Sequence, residues 1–194
     1  KGFEVEVLVG DPIKGKEYSK SCVGCHGGNF SGLISERSPS LPQLSKWYMQ
    51  GQLQKYKQNI LGYKIEDSDS YGMSSLMKDY SNQQIADMVA YIKTFKPKKQ
   101  FNTLDGDPQK GKIEYQLNCM ACHQEDGKGN EQLYAPNLVG LSDIYLVNQL
   151  IKYRDGIRGS GNGDKHGKVM QLFAKNLKNE QVMKDIASYI ISLQ

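Results

Sequence analysis

The strongest constraint in the sequence is an internal repeat, because two similar segments follow each other at a spacing of 96 to 98 residues. The matched segments are DPIKGK at Asp11 and DPQKGK at Asp107, CVGCH at Cys22 and CMACH at Cys119, QLQKY at Gln52 and QLIKY at Gln149, and AYI at Ala90 and SYI at Ser188. Similarity at a fixed long period indicates repeated structural units. Since only two copies fit in 194 residues, the repeat predicts tandem domains and argues against a solenoid.

The join between the copies is expected where a proline interrupts a helical pattern. Lys96-Pro97-Lys98-Lys99 has this character and is followed by polar residues. The sequence therefore predicts a first domain over 1–97, with 1–10 as an extension, a linker over 98–105 and a second domain over 106–194.

Helices dominate the secondary structure that the patterns predict. Each copy opens with Asp-Pro, an N-cap residue followed by proline at the first helical position. Apolar residues at spacings of three and four predict helices over Ser45–Ile60, Ser81–Phe95, Ser142–Tyr153 and Lys178–Leu193. Alternation over Phe3–Val9 indicates one short strand or an extended tail. We expect an all-α fold in which each domain packs its long loops around a further group.

The two cysteine clusters indicate what that group is. Cys-x-x-Cys-His, at Cys22-Cys25-His26 and Cys119-Cys122-His123, is the attachment signature of c-type haem. The cysteines can each bond a vinyl group of one porphyrin, and the adjacent histidine can ligate its iron. Thioredoxin chemistry would need a βαβ setting, a four-Cys zinc site would need closer pairs, and disulfides would leave both histidines unexplained. The motifs predict two covalently bound haems.

Each iron then needs a sixth ligand or an open position. His166 is the only other histidine, so ligation of both irons by two histidines is excluded within one chain. Met73 follows His26 by 47 residues, and Met170 follows His123 by the same 47. A thioether raises the potential of haem iron and suits electron transfer. We predict Met73 and Met170 as axial ligands in polar loops, with Met77 and His166 as the respective alternatives.

Weaker signals concern the surroundings of each haem. Pro42 and Pro136, aligned in the repeat, are candidates for the carbonyl that accepts the N–H of each haem-ligating histidine, although either proline could simply stiffen a loop. Gly15 and Gly111, inside predicted helices, indicate close crossings against Tyr91 and Tyr189. A further hypothesis is that Arg154 and Arg158 bind haem propionates, although an exposed helix end would also explain them.

Charge and hydropathy limit the possible partners. The net charge is +4, and residues 1–100 carry 14 Lys and Arg against 10 Asp and Glu. No basic stripe interleaves with aromatics, which argues against nucleic-acid binding. No apolar run is long enough to span a membrane. Because the sequence starts at Lys1, we expect a mature form from which a signal peptide was removed.

The order of these features resembles class I cytochrome c domains: Cys-x-x-Cys-His, Pro-x-Leu, an amphipathic helix, a Met and a final helix ending in Tyr-Ile. Doubled in one chain, it resembles the di-haem cytochrome c-four class, most closely at 135–140 and 85–92, and the resemblance covers about 11–194. The first loop, His26-Gly27-Gly28-Asn29-Phe30, lacks the Asp-Gly-Lys-Gly that follows His123. This resemblance implies His/Met-ligated iron, a periplasmic location, sometimes with membrane association, and electron delivery to terminal oxidases or other redox partners.

We therefore expect a periplasmic electron carrier that shuttles between respiratory partners, from an upstream quinol-oxidising complex to a terminal oxidase or reductase. Peripheral membrane association is compatible with this expectation. The alternative is a di-haem oxidoreductase of the peroxidase or thiosulfate-oxidising type. That alternative needs one axial position open or held by a displaceable ligand.

Overall fold

The computed structural model describes residues 2–33, 35 and 37–194. Lys1, which belongs to the predicted extension, lies outside them. The helices of the first half are α1 (Pro12–Tyr18), α2 (Val23–His26), α3 (Lys46–Lys57), α4 (Ser68–Met77) and α5 (Asn82–Ile92). Those of the second half are α6 (Pro108–Asn118), α7 (Met120–His123), α8 (Asp143–Arg154), α9 (Lys165–Lys175) and α10 (Glu180–Ser192). Short 3₁₀ turns occupy Ser19–Cys22 and Glu131–Leu133. The described part of the chain contains no strand, so the all-α prediction is confirmed.

The first helix of each half begins as the Asp-Pro pair predicts. The Asp11 side chain accepts hydrogen bonds from the backbone N–H groups of Ile13 and Lys14, and Pro12 is the first helical residue. Asp107 caps α6 in the same way through Gln109 and Lys110. Each cap satisfies N–H groups that have no partner inside the helix.

The first and last helices of each half cross at a glycine. A Cβ added at Gly15 would overlap the carbonyl oxygen of Asp87 in α5, and a Cβ added at Gly111 would overlap that of Asp185 in α10. The close crossings predicted from these glycines are confirmed. Asp87 and Asp185 lie one helical turn before Tyr91 and Tyr189. The helices can approach this closely because glycine has no side chain at the crossing.

Residues 2–10 form an extended segment along α3 and not a strand. The buried side-chain amides of Gln50 and Gln54 each accept from and donate to one residue of this segment, Leu8 and Glu6, at 2.7–3.0 Å. Two glutamines thus provide the hydrogen bonds that a neighbouring strand would supply. The segment also reaches the second half, where Phe3 N–H donates to the carbonyl of Gly163.

Two buried ion pairs join the halves. Lys55 Nζ lies 2.6 Å from Asp164 Oδ1, and Lys152 Nζ lies 2.5 Å from Asp67 Oδ1. Lys55 and Lys152 are equivalent in the repeat, and so are Asp67 and Asp164. Each half therefore supplies one cation and one carboxylate, as in a two-fold symmetric dimer.

Within the described ranges, no helix has the length and apolar character that crossing a membrane would require.

Candidate haem sites

The last four residues of each Cys-x-x-Cys-His motif form a short helix, α2 or α7. Cys22 ends the 3₁₀ turn that follows α1, and Cys119 is the residue between α6 and α7. All four cysteines are free thiols. Burial raises the pKa of the Cys22 thiol and raises that of Cys119 to about 12. None of the four cysteines is in a disulfide, and a free thiol is what covalent attachment to a vinyl group requires.

The histidine of each motif is buried and held by a backbone carbonyl. His26 Nδ1–H donates to Pro39 O, and His123 Nδ1–H donates to Pro136 O, both at 3.0 Å. This bond fixes the tautomer and leaves Nε2 free to ligate a metal. Burial lowers the pKa of both imidazoles, and the prolyl carbonyls oppose that shift.

Pro136 supplies the carbonyl that accepts the histidine N–H, as predicted, whereas the corresponding prediction for Pro42 is wrong. Pro39, not Pro42, follows its histidine by the 13 residues that separate Pro136 from His123. Pro42 has another contact, because its carbonyl accepts from the Lys93 ammonium. The sequence signal that identifies Pro39 is its distance of 13 residues from His26, which equals the distance of Pro136 from His123.

The second half contains a cavity of about 210 Å³ that brings its predicted site residues together. Cys119, Cys122, His123 and Met170 all line it, and Pro136 lies beside His123. Most of the remaining lining is apolar, including Leu138, Leu141, Leu146, Leu150, Ala174, Leu177, Ile186 and Ile190. An apolar cavity with few polar groups is typical of a cofactor site.

Both predicted methionines lie in helices, so the prediction that they occupy polar loops is wrong. Met73 is the sixth residue of α4, and Met170 is the sixth residue of α9. In the second half, the Asp164 side chain caps Gly167 N–H and allows the helix to begin before the methionine. The Gly- and Ser-rich sequence around Met73 has weak helix propensity, which tertiary packing overrides.

Met73 and Met77, the two candidates for the sixth ligand of the first iron, differ in burial. Met73 is half-buried, as is its equivalent Met170, whereas Met77 is completely buried in the core. His26 is as buried as His123. Met77 thus has the burial of a core side chain, while Met73 shares the helix position of the methionine that lines the second cavity.

Arg158 lines the second cavity at the boundary between the halves. Its guanidinium donates to Gln149 Oε1 at 2.7 Å, to Gln52 Oε1 at 2.8 Å and to the Tyr48 hydroxyl at 3.0 Å. Among residues 2–33, 35 and 37–194, no carboxylate oxygen lies within 4 Å of it. The other predicted propionate ligand, Arg154, instead pairs with Asp155 at 2.7 Å.

His166, the alternative iron ligand, also lines this cavity. Its ring stacks on Tyr134 with centroids 3.8 Å apart and an interplanar angle of 12°. Its pKa is lowered, first by burial and then by the nearby Lys55. The imidazole therefore packs as a neutral aromatic ring against Tyr134.

The donor set fits a covalently attached haem. The second cavity combines two thiols, an imidazole with its Nε2 available, a thioether and an unpaired guanidinium that could bind a propionate. The first half repeats the cysteines, the buried histidine and the helical methionine. No other common cofactor uses this combination.

The comparison with protein families agrees with this chemistry. A family model described as cytochrome c matches residues 13–96 and again 108–194. The chain belongs to the cytochrome c family. It is a di-haem cytochrome, with one covalently bound haem c in each of two tandem domains. Both matches lie within the predicted domains 1–97 and 106–194, whose exact bounds stay a prediction.

Curated relatives match nearly the whole cytochrome. It is 28% identical to cytochrome c4 of Azotobacter vinelandii and 29% identical to cytochrome c4 of Pseudomonas aeruginosa, in each case over 95% of this chain and about nine-tenths of the relative. It is also 25% identical to the cbb3-type cytochrome c oxidase subunit FixP of Bradyrhizobium diazoefficiens, over 77% of this chain and 54% of the subunit.

Solved structures share its fold. Reduced cytochrome c4 from Pseudomonas stutzeri superposes with a TM-score of 0.74 at 23% identity, covering 96% of this chain and all of the other. Thiosulfate dehydrogenase (TsdBA) from Marichromatium purpuratum gives 0.73 at 20% identity, covering 93% of this chain and 40% of the other. A fold like that of this chain thus also occurs as part of a longer protein, a thiosulfate dehydrogenase.

Proposed function

We propose that this cytochrome is a periplasmic electron carrier in which His26 and Met73 ligate the first iron and His123 and Met170 the second. Cys22, Cys25, Cys119 and Cys122 attach the two haems. The observation that carries the proposal is the shared lining of one cavity by His123 and Met170. A bound haem supplies one-electron chemistry between ferrous and ferric iron, and a His/Met ligand pair raises its potential.

The residues around each site favour transfer without ligand exchange. The prolyl carbonyls orient the imidazoles, and the helices that carry Met73 and Met170 restrict where each thioether can lie. The many apolar residues that line the second site disfavour water inside it. A closed, six-coordinate iron changes its charge with little change in structure, which suits a carrier.

The proposed partners are respiratory redox proteins. Likeness to cytochromes c4 and to an oxidase subunit supports transfer from a quinol-oxidising complex to a terminal oxidase or reductase. Peripheral attachment to a membrane is compatible with this role, and nucleic acid is not a proposed partner. The periplasmic location rests on covalent haem c and on the resemblance to cytochromes c4.

The excess of positive charge in residues 1–100 favours docking of an acidic partner on the first domain. Lys96, Lys98 and Lys99 are exposed and available for such docking. Lys93 is not, because its ammonium donates to the carbonyls of Pro42 and Leu44, and burial lowers its pKa.

Carbon monoxide binding to the reduced holoprotein separates a carrier from a di-haem oxidoreductase. We expect no binding at either haem, because each sixth position is filled by a thioether. Met170→Ala is the positive control, since it should open the second iron and bind one equivalent. One equivalent bound by the unmodified protein would instead support an enzyme with an open or displaceable axial position.

A further inference from the structure

The extended segment 2–10 is included in neither family match, yet the first domain holds it firmly. Its backbone at Glu6 and Leu8 is bonded to two buried glutamine amides of α3. Its last residue, Gly10, lies against α5, where an added Cβ would overlap the carbonyl of Ala86. The segment is therefore fixed in place by two helices of the first domain, although it contributes no residue to the haem-attachment motifs.

The other end of the segment reaches the second domain. Phe3 N–H donates to the carbonyl of Gly163 at 3.0 Å. The Phe3 ring lies under the Lys55 ammonium, with Nζ 5.4 Å from the ring centroid, and this is the lysine whose buried ion pair joins the domains. Gly2 lies against the side chain of Lys165, which an added Cβ would overlap. The segment thus crosses the boundary between the two domains.

At this boundary the segment lines a crevice of about 30 Å³ beside the larger cavity of the second haem. Phe3 and Val5 line the crevice together with Trp47 and Gly51. The crevice and the haem cavity have five lining residues in common, which are Tyr48, Gln52, Lys55, Tyr134 and His166. These five residues form a wall with the haem cavity on one side and the crevice on the other.

We propose that residues 2–10 are a strap that crosses from the first domain to the second and closes the crevice beside the second haem cavity. The side chains of Phe3 and Val5 fill the crevice, and so they keep water and solutes from the wall of five shared residues. Excluding solvent from a reactive site prevents side reactions there. The strap controls access to the second site, whether the cytochrome is a carrier or an enzyme.

The rate at which diethyl pyrocarbonate modifies His166 in the oxidised holoprotein tests the strap. His166 belongs to the shared wall and is half-buried, and peptide mapping by mass spectrometry reads it separately from His26 and His123. Phe3→Ala should raise the rate at His166 severalfold, because it removes the ring that lines the crevice. Val9→Ala is the matched control, since Val9 lies in the same segment and is 93% exposed, and it should leave the rate unchanged.

A second variant releases the strap without changing any residue of the strap itself. Gln54→Met removes both hydrogen bonds to the backbone of Glu6. Hydrogen exchange at the Glu6 N–H should therefore become faster, and modification of His166 should accelerate with it. Gln58→Met is the control, because Gln58 is exposed at the end of α3, and it should change neither rate.

Three outcomes would overturn the proposal. The first is an unchanged modification rate at His166 in Phe3→Ala. The second is faster exchange at the Glu6 N–H in Gln54→Met with no change at His166, because a released segment would then not be what covers the crevice. The third is equal acceleration in Val9→Ala, which would indicate general loosening of the protein in place of closure by Phe3.

Discussion

Lys55 of the first domain and Asp164 of the second form a buried ion pair, with Nζ and Oδ1 2.6 Å apart. The equivalent residues Lys152 and Asp67 form a second pair in the reverse direction. Lys152 also lies 3.2 Å from Asp69, so separating the domains would leave five charged groups without their partners. The two domains are therefore held as one unit, with Arg158 between them.

Replacing Lys55 by methionine should lower the free energy of unfolding by about 3–5 kcal/mol, because it leaves the Asp164 carboxylate buried without a cation. Lys152→Met should have a similar effect through Asp67. Glu17→Gln is the control, since Glu17 and Lys20 form an exposed pair worth at most about 1 kcal/mol. Urea unfolding of the holoprotein measures all three, and equal losses in the three variants would contradict the assigned role.

Alanine at Gly15 should destabilise the first domain by more than about 1 kcal/mol, because its Cβ would overlap the Asp87 carbonyl in the helix crossing. The matched control is Gly72→Ala, in a helix position with no atom within 4 Å of the added Cβ. That change should stabilise by up to about 1 kcal/mol through helix propensity. Thermal unfolding distinguishes them, and a tolerated Gly15→Ala would refute the close crossing.

Asp107 should contribute stability that depends on pH. Its carboxylate accepts the N–H groups of Gln109 and Lys110, and these bonds lower its pKa. A lowered folded-state pKa means that the contribution is complete above the ordinary pKa and is lost as the pH falls through the folded value. Asp107→Ala should therefore be less stable than the parent at neutral pH and approach it in acid. A difference independent of pH would contradict this.

If an acidic redox partner docks on the first domain, the rate of electron transfer to it should depend on salt concentration. Electron transfer to an acidic redox protein should slow as ionic strength rises, because the Debye length falls to about 8 Å at physiological salt. Charge reversal at Lys96 and Lys98 should slow it further, whereas reversal at Lys175, exposed on the second domain, should have less effect. Stopped-flow rates measure this, and a stronger effect at Lys175 would place docking on the other domain.

Much of the fold could be predicted from the sequence, because helix caps and apolar spacings occur at equivalent positions in both copies of the repeat. Asp11 and Asp107 cap the helices that they predict, and the helix predicted over Ser142–Tyr153 is observed at Asp143–Arg154. The ion pairs between domains were not predicted, because no local pattern shows which lysine of one copy meets which carboxylate of the other.

The first loop shows why the alignment failed at Pro42. Phe30 occupies the position of Gly127, since their carbonyls accept from the equivalent Leu41 and Leu138 N–H groups. The Phe30 ring is buried against Phe95, with centroids 5.0 Å apart. A large side chain replaces a glycine here, so the two sequences differ at a position where the backbone hydrogen bond is the same.

The long-wavelength absorption band of a thioether–iron bond in the oxidised holoprotein tests the proposed ligands most directly. The unmodified protein should show the band at an intensity corresponding to two haems, because Met73 and Met170 each ligate one iron. Met73→Ala and Met170→Ala should each lose half of it, and the double variant all of it. Met77→Ala, in the buried core, should keep the full band. Loss of the band in Met77→Ala with retention in Met73→Ala, or a full band in Met170→Ala, would contradict the account.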